Sequence, residues 1–190
     1  MNILVSPYGE GSFYFRSDST LIRALTDFYM PDYIEGISAV PALCFRSLRS
    51  GKAVPARFAS RYLGPFSCCL LLKARINPAM VAAADTAYVE NALDYSTVIP
   101  YDLLPYGHLN GFMSAGRPLS VKVNGLEKIS VTSIPDMDSL SRRFETICGY
   151  CSLRTGDFIT FELSEAVPVP RGSKVTVTFG TEGRISVIIH

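Results

Sequence analysis

Residues 119–161 read LSVKVNGLEKISVTSIPDMDSLSRRFETICGYCSLRTGDFITF. Leu119, Val121 and Val123 alternate with polar neighbours up to Asn124-Gly125. Both members of that pair tolerate positive φ, so it predicts a type I′ turn and a hairpin whose second arm returns over residues 126–132. Leu140, Phe144, Ile147, Cys148 and Cys151 then recur along one face at helical spacing. Ser133 and Pro135 suit the first turn of that helix, one as an acceptor for free N–H groups and one with φ already fixed. Gly156-Asp157 turns the chain into a further strand over residues 158–163.

Outward from this stretch the pattern stays rich in strands. Residues 174–179 and 184–189 alternate polar and apolar positions around Gly180 to Gly183, a second hairpin. Upstream, short strands are predicted at 2–5, 12–15, 21–22, 28–30 and 42–45. Residues 67–72 are almost wholly apolar, as in a strand buried on both faces. Phe58 and Tyr62 mark about two helical turns over 57–63, between Pro55 and Pro65. Asn77-Pro78 opens an alanine-rich helix predicted to run to residue 91. Residues 94–117 read as irregular, and a connection of that length is expected to pack in part over a site or an interface. Strands outnumber helices and short turns join most of them, which gives a mainly β, α+β architecture with a largely antiparallel sheet.

A chain of 190 residues suits one domain spanning 1–190. Its formal net charge of +1 gives no electrostatic footprint for nucleic acid. The apolar run from Cys68 to Leu72 is far short of the roughly 20 residues that span a bilayer, so no membrane segment is expected. MNILVSPYGEG has neither a basic flank nor a long apolar stretch and does not read as a secretory signal, which leaves a cytoplasmic chain as the expectation. Five cysteines are too few, and odd in number, for a disulfide framework. Cys148 and Cys151 form a C-x-x-C pair, but at a helix C-terminus, where the dipole opposes a thiolate; packing is the reading. A zinc site is not expected, because there is no second such pair and the histidines are His108 and His190 alone.

The hairpin, helix, turn and strand, with Asn124-Gly125 and Gly156-Asp157 set 32 positions apart, resemble the C-terminal half of the fumarylacetoacetate hydrolase family. Asp136-Met137 ahead of the helix and the Leu-x-x-Gly-Asp pattern of Leu153 to Asp157 belong to the same resemblance. More weakly, Phe13 to Asp18 is similar to the family's strand ending in Lys-Pro-x-Ser/Thr-Ala, and Ala74-Arg75 to the pair that follows its third metal ligand. The resemblance covers most of the chain. It implies a mixed β-sandwich roll with a few short helices, and a homodimer.

In that family a Glu-x-Glu pair and a later Asp hold magnesium or manganese, which polarises a keto-acid substrate. Carried onto this sequence, those positions are Val40, Ala42 and Leu71, and the catalytic lysine falls at Asn91, whose amide carries no charge. Between Gly36 and Asp85 the 48 intervening residues contain no Asp or Glu, so no local shift restores the cage. The resemblance therefore implies a divergent member with no metal cofactor and no catalytic residue assigned, a pseudoenzyme with a binding or partner role. The alternative is an active hydrolase, decarboxylase or tautomerase acting on a small keto acid, such as an acylpyruvate, through a displaced or metal-free site.

Three further residues are candidates for a pocket. Arg16 has a fork that suits a carboxylate, with a surface position at a strand end as the plainer reading. Asp94 and Tyr95 precede the long loop and suit either a small polar ligand or loop solvation. A small carboxylate is the ligand class this reading favours. His108 has no acidic neighbour within five residues and is a poor general base.

Overall fold

The computed structural model describes residues 1–9, 13–23, 27–77, 79–82, 85–114, 119–180 and 182–190. In chain order it contains β1 (Ile3–Ser6), β2 (Tyr14–Arg16), β3 (Leu21–Arg23), β4 (Gly36–Ser47), β5 (Leu63–Arg75), α1 (Thr86–Glu90), β6 (Thr97–Ile99) and α2 (Leu109–Ser114). β7 (Leu119–Val123), β8 (Leu126–Val131), α3 (Met137–Tyr150), β9 (Phe158–Glu162), β10 (Val167–Val169), β11 (Lys174–Phe179) and β12 (Glu182–Ile188) complete it. The architecture is α+β, two sheets with a few short helices.

The larger sheet has the strand order β2-β1-β9-β4-β5-β6-β3, with β10 paired to β4; the smaller has the order β12-β11-β7-β8. Most pairings are antiparallel, and β1 with β9 and β3 with β6 are parallel. Asn124 and Gly125 join β7 to β8 at φ of +52° and +81°, the left-handed conformations that their pairing in the sequence predicts. Gly156 takes φ +92° at the turn before β9. The Asp157 carboxylate beside it accepts from the N–H of Asn2 (2.8 Å) and of Arg154 (2.8 Å). That buried side chain ties the first residues of the chain to the start of β9, which is how β1 comes to lie parallel to it.

Asp136, not Ser133, caps α3, its carboxylate accepting from Ser139 N–H at 2.7 Å. Ser133 and Pro135 lie outside the helix because an aspartate one step ahead of Met137 meets the free N–H groups first. Leu140, Phe144, Ile147 and Cys148 are buried as their spacing requires. They join one continuous core with Leu43, Phe45 and Leu70 of the large sheet and Val121, Val175 and Val187 of the small one. Each such side chain contributes about 1.5–3 kcal/mol of burial.

β4 and β5 form the long spine, paired from Gly36↔Arg75 to Ser47↔Leu63. Pro41 is tolerated within β4 for a geometric reason. Its carbonyl accepts from Leu163 N–H (3.0 Å), so its missing donor would have pointed to the side where β9 has ended and β10 has not begun. Residues of β5 are buried on both faces because the large sheet curls. Arg16 of β2 reaches the Leu72 carbonyl of β5 (2.7 Å) and Ser96 Oγ just ahead of β6 (2.6 Å), although β2 stands at the opposite end of the strand order from β6. The sheet closes into a roll with an interior of its own.

Several expectations are corrected. The alanine-rich helix is only α1; Asn77 caps a single turn through Ala79 N–H (2.8 Å), and Pro78 lies outside the described residues. None of the residues of α1 is buried, so no packed face extends it. Residues 56–61 form a 3-10 helix and not an α-helix. Phe28 makes one isolated bridge to Ile189 in place of a strand. β6 and β10, three residues each, were not legible. No helix among the described residues is long and apolar enough to cross a membrane.

Candidate functional site

Side chains of the large sheet alternate between the main core and the roll interior. Val40, Ala42 and Cys44 of β4, Cys69 and Leu71 of β5, Ile3 and Val5 of β1, Phe158 of β9 and Ile99 of β6 point inward and are at most 1% exposed. Val40 is the register partner of Leu71, and Ala42 that of Cys69. The three positions carried over as metal ligands are therefore brought together on one face, with hydrocarbon at each. Asn91 does not join them: its Nδ2 donates to the Ala87 carbonyl (2.8 Å) of its own helix.

The same face ends in a polar cluster that sequence reading missed. Glu162 is 3% exposed and, in register opposite Ala42, ends the inward row of β9. Its Oε1 is bound by the Lys73 ammonium at 2.7 Å and by the Tyr14 hydroxyl at 2.5 Å; its Oε2 accepts from Tyr8 N–H at 3.0 Å. The Lys73 Nζ also stands 5.2 Å from the Tyr14 ring centroid. Burial, and then the adjacent Glu162 charge, push the Tyr14 phenol far above its ordinary range, so it stays a donor. A signal existed for the pair: Lys73 falls in phase with Cys69 and Leu71, and Glu162 with Phe158, each a charge on an otherwise buried row.

Arg16 is 1% exposed, which corrects the surface reading and also its grouping with Asp94 and Tyr95. Curling of the sheet turns β2 inward, and burial draws the guanidinium below its ordinary value, opposed by the neighbouring Tyr14, Cys69 and Glu162. Its Nε and Nη1 meet no acceptor among the described residues. Asp94 and Tyr95 lie on the surface, lining two adjoining clefts of about 400 and 330 Å³ together with Tyr29. Asp27 and Tyr33 add to these walls, an acidic and aromatic lining that opposes a carboxylate ligand.

The residues present do not fit a hard divalent cation. Such an ion needs several oxygen ligands; Val40, Ala42 and Leu71 supply none, and the nearby carboxylate is engaged by an ammonium with a second cation, Arg16, close by. Neither does the C-x-x-C pair form a reactive thiol. Burial lifts Cys148 to about 12 and raises Cys151, whose thiol lies 3.1 Å from the Ile147 carbonyl. His108 is exposed.

No family model matches the chain, and no curated protein does. Solved structures do. A protein of Yersinia pestis described as of the fumarylacetoacetate hydrolase family aligns at TM-score 0.76 and 14% identity over 100% of this chain and 92% of its own. Fumarylpyruvate hydrolase from Pseudomonas aeruginosa, solved with Mn2+ and pyruvate, aligns at 0.76 and 13% over 100% and 89%. 5-Carboxymethyl-2-hydroxymuconate delta-isomerase from Mycobacterium smegmatis aligns at 0.79 and 14% over 99% and 76%. The fold of this chain is that of the fumarylacetoacetate hydrolase family.

Proposed function

We propose that this chain, built on the fumarylacetoacetate hydrolase fold, has given up metal-assisted carbon–carbon chemistry and serves as a binding protein for a small carboxylate. One observation carries the reading: where that chemistry needs oxygen donors for a cation, the roll interior presents Val40, Ala42 and Leu71, and the carboxylate beside them belongs to the Lys73–Glu162 pair. An internal ammonium occupies the electrostatic role that a hard cation would have beside Glu162. The expected homodimer and cytoplasmic location belong to the same proposal, and sedimentation velocity tests the first.

The convergence of Tyr14, Arg16, Lys73 and Glu162 favours a second reading, a metal-free enzyme acting on a keto acid. Against it, the Glu162 oxygens already hold three donors and the positions beside it are closed by packing. Incubation with an acylpyruvate in the presence of excess manganese separates the two. The first reading expects no carboxylate product above the buffer rate. Turnover abolished by Lys73→Met would establish the second.

A further inference from the structure

A cleft of about 510 Å³ lies outside the roll interior and shares none of its residues. Three separate elements build it: the 3-10 helix Ala56–Arg61, the Tyr106–His108 turn with the start of α2, and the first turns of α3. Arg57 comes from the first and Arg142 from the third, and neither guanidinium has a hydrogen-bond acceptor or ion-pair partner among the described residues; Arg57 rests against the Phe58 ring. Ser60, Tyr106, Asn110 and Ser141 add hydroxyl and amide donors. Burial raises the Tyr106 phenol, which keeps it a donor. Asp138 is the one carboxylate in the lining among the described residues.

We propose that this cleft is the ligand site of the protein and takes a small hydroxylated molecule carrying a carboxylate or phosphate group. The inference rests on the binding role proposed above and gives it a place. Arg57 and Arg142, both exposed and set on different elements of the lining, each carry a planar fork of donors that pairs with two oxygens of an oxyanion, a geometry a bare point charge does not select. Asp138 sets the second requirement: it repels a polyanion and accepts from a hydroxyl on the ligand skeleton. The volume fits a small metabolite and not a peptide. Tyr106, Gly107 and Asn110, from the long connection ahead of β7, form one wall.

The test titrates glycerate, glycerol 3-phosphate and glycerol into the full chain, followed by amide chemical-shift changes in two-dimensional NMR. Glycerate or glycerol 3-phosphate is expected to shift residues around Arg57, Asn110 and Arg142 saturably, and glycerol to leave them unmoved; the stronger of the two identifies the acidic group. Arg57→Met and Arg142→Met should each weaken binding at least about tenfold, as loss of a charged hydrogen bond requires. Arg61→Met, one turn away on the same 3-10 helix and outside the lining, should not. No saturable shift by either anion, shifts elsewhere, or equal weakening by Arg61→Met overturns the site. The metal-loss reading is untouched by that failure, since manganese binding and acylpyruvate turnover are read separately.

Discussion

Two buried carboxylates flank β9, and their partners differ. Asp157, before its first residue, accepts among the described residues from backbone N–H groups alone, those of Asn2 and Arg154. Glu162, its last residue, is bound mainly by side chains, Lys73 and Tyr14, with one backbone N–H from Tyr8. The first fixes where the chain runs and the second balances charge inside the roll. The acid that a turn requires and the acid that balances a buried charge thus rest on different atoms, so either can be changed without the other.

This contrast breaks most sharply at Lys73. Lys73→Met removes the ammonium that ion-pairs the buried Glu162 and leaves only the more distant Arg16 and Arg143 charges, and a loss of about 3 kcal/mol is expected in urea unfolding, with part of it recovered in Lys73→Met/Glu162→Gln. Asp157→Ala strips the acceptor from two backbone donors and should cost about 2 kcal/mol, with loosened exchange protection at the Asn2 and Arg154 amides and no effect on the Lys73–Glu162 pair. Gly125→Ala, at φ +81°, should cost about 1 kcal/mol and leave both carboxylates undisturbed.

The smallest effect is a pH dependence. Burial lifts the Cys68 thiol to about 12 from its ordinary 9.0. The unfolded chain therefore loses that proton first as pH rises, and stability present below pH 9 drains away between about 9 and 12. Between pH 8 and 10 Cys68 alone contributes a loss on the order of 1 kcal/mol; Cys148, lifted to about 12 as well, adds a similar share, and Tyr14 adds to it above pH 10 in the same sense. Cys68→Ala should flatten the first part of that slope.

What was legible in the sequence was local. Asn124-Gly125 and Gly156-Asp157 need particular φ values whatever surrounds them, and the α3 face at Leu140, Phe144, Ile147 and Cys148 follows from spacing alone. The alanine-rich segment after Asn77 misled because helical propensity without a packed face does not hold a long helix. β6 and β10 are too short to show a period. The polar cluster left only a partial trace, the charges of Lys73 and Glu162 on otherwise buried rows: Tyr14, Lys73 and Glu162 lie far apart along the chain and meet only through the strand order β2-β1-β9-β4-β5. Arg16 was misjudged with them, since a strand-end arginine looks exposed until the roll closes over it.

The central claim is that an ammonium, not a metal ion, balances the charge inside the roll. Titration of Mn2+ into the full chain, with free ion counted by electron paramagnetic resonance, addresses it directly. The account predicts that the free-ion signal tracks the added metal up to about 1 mM, the weak end of specific binding. One equivalent bound at lower concentration in the native chain, and released by Glu162→Gln, would contradict it.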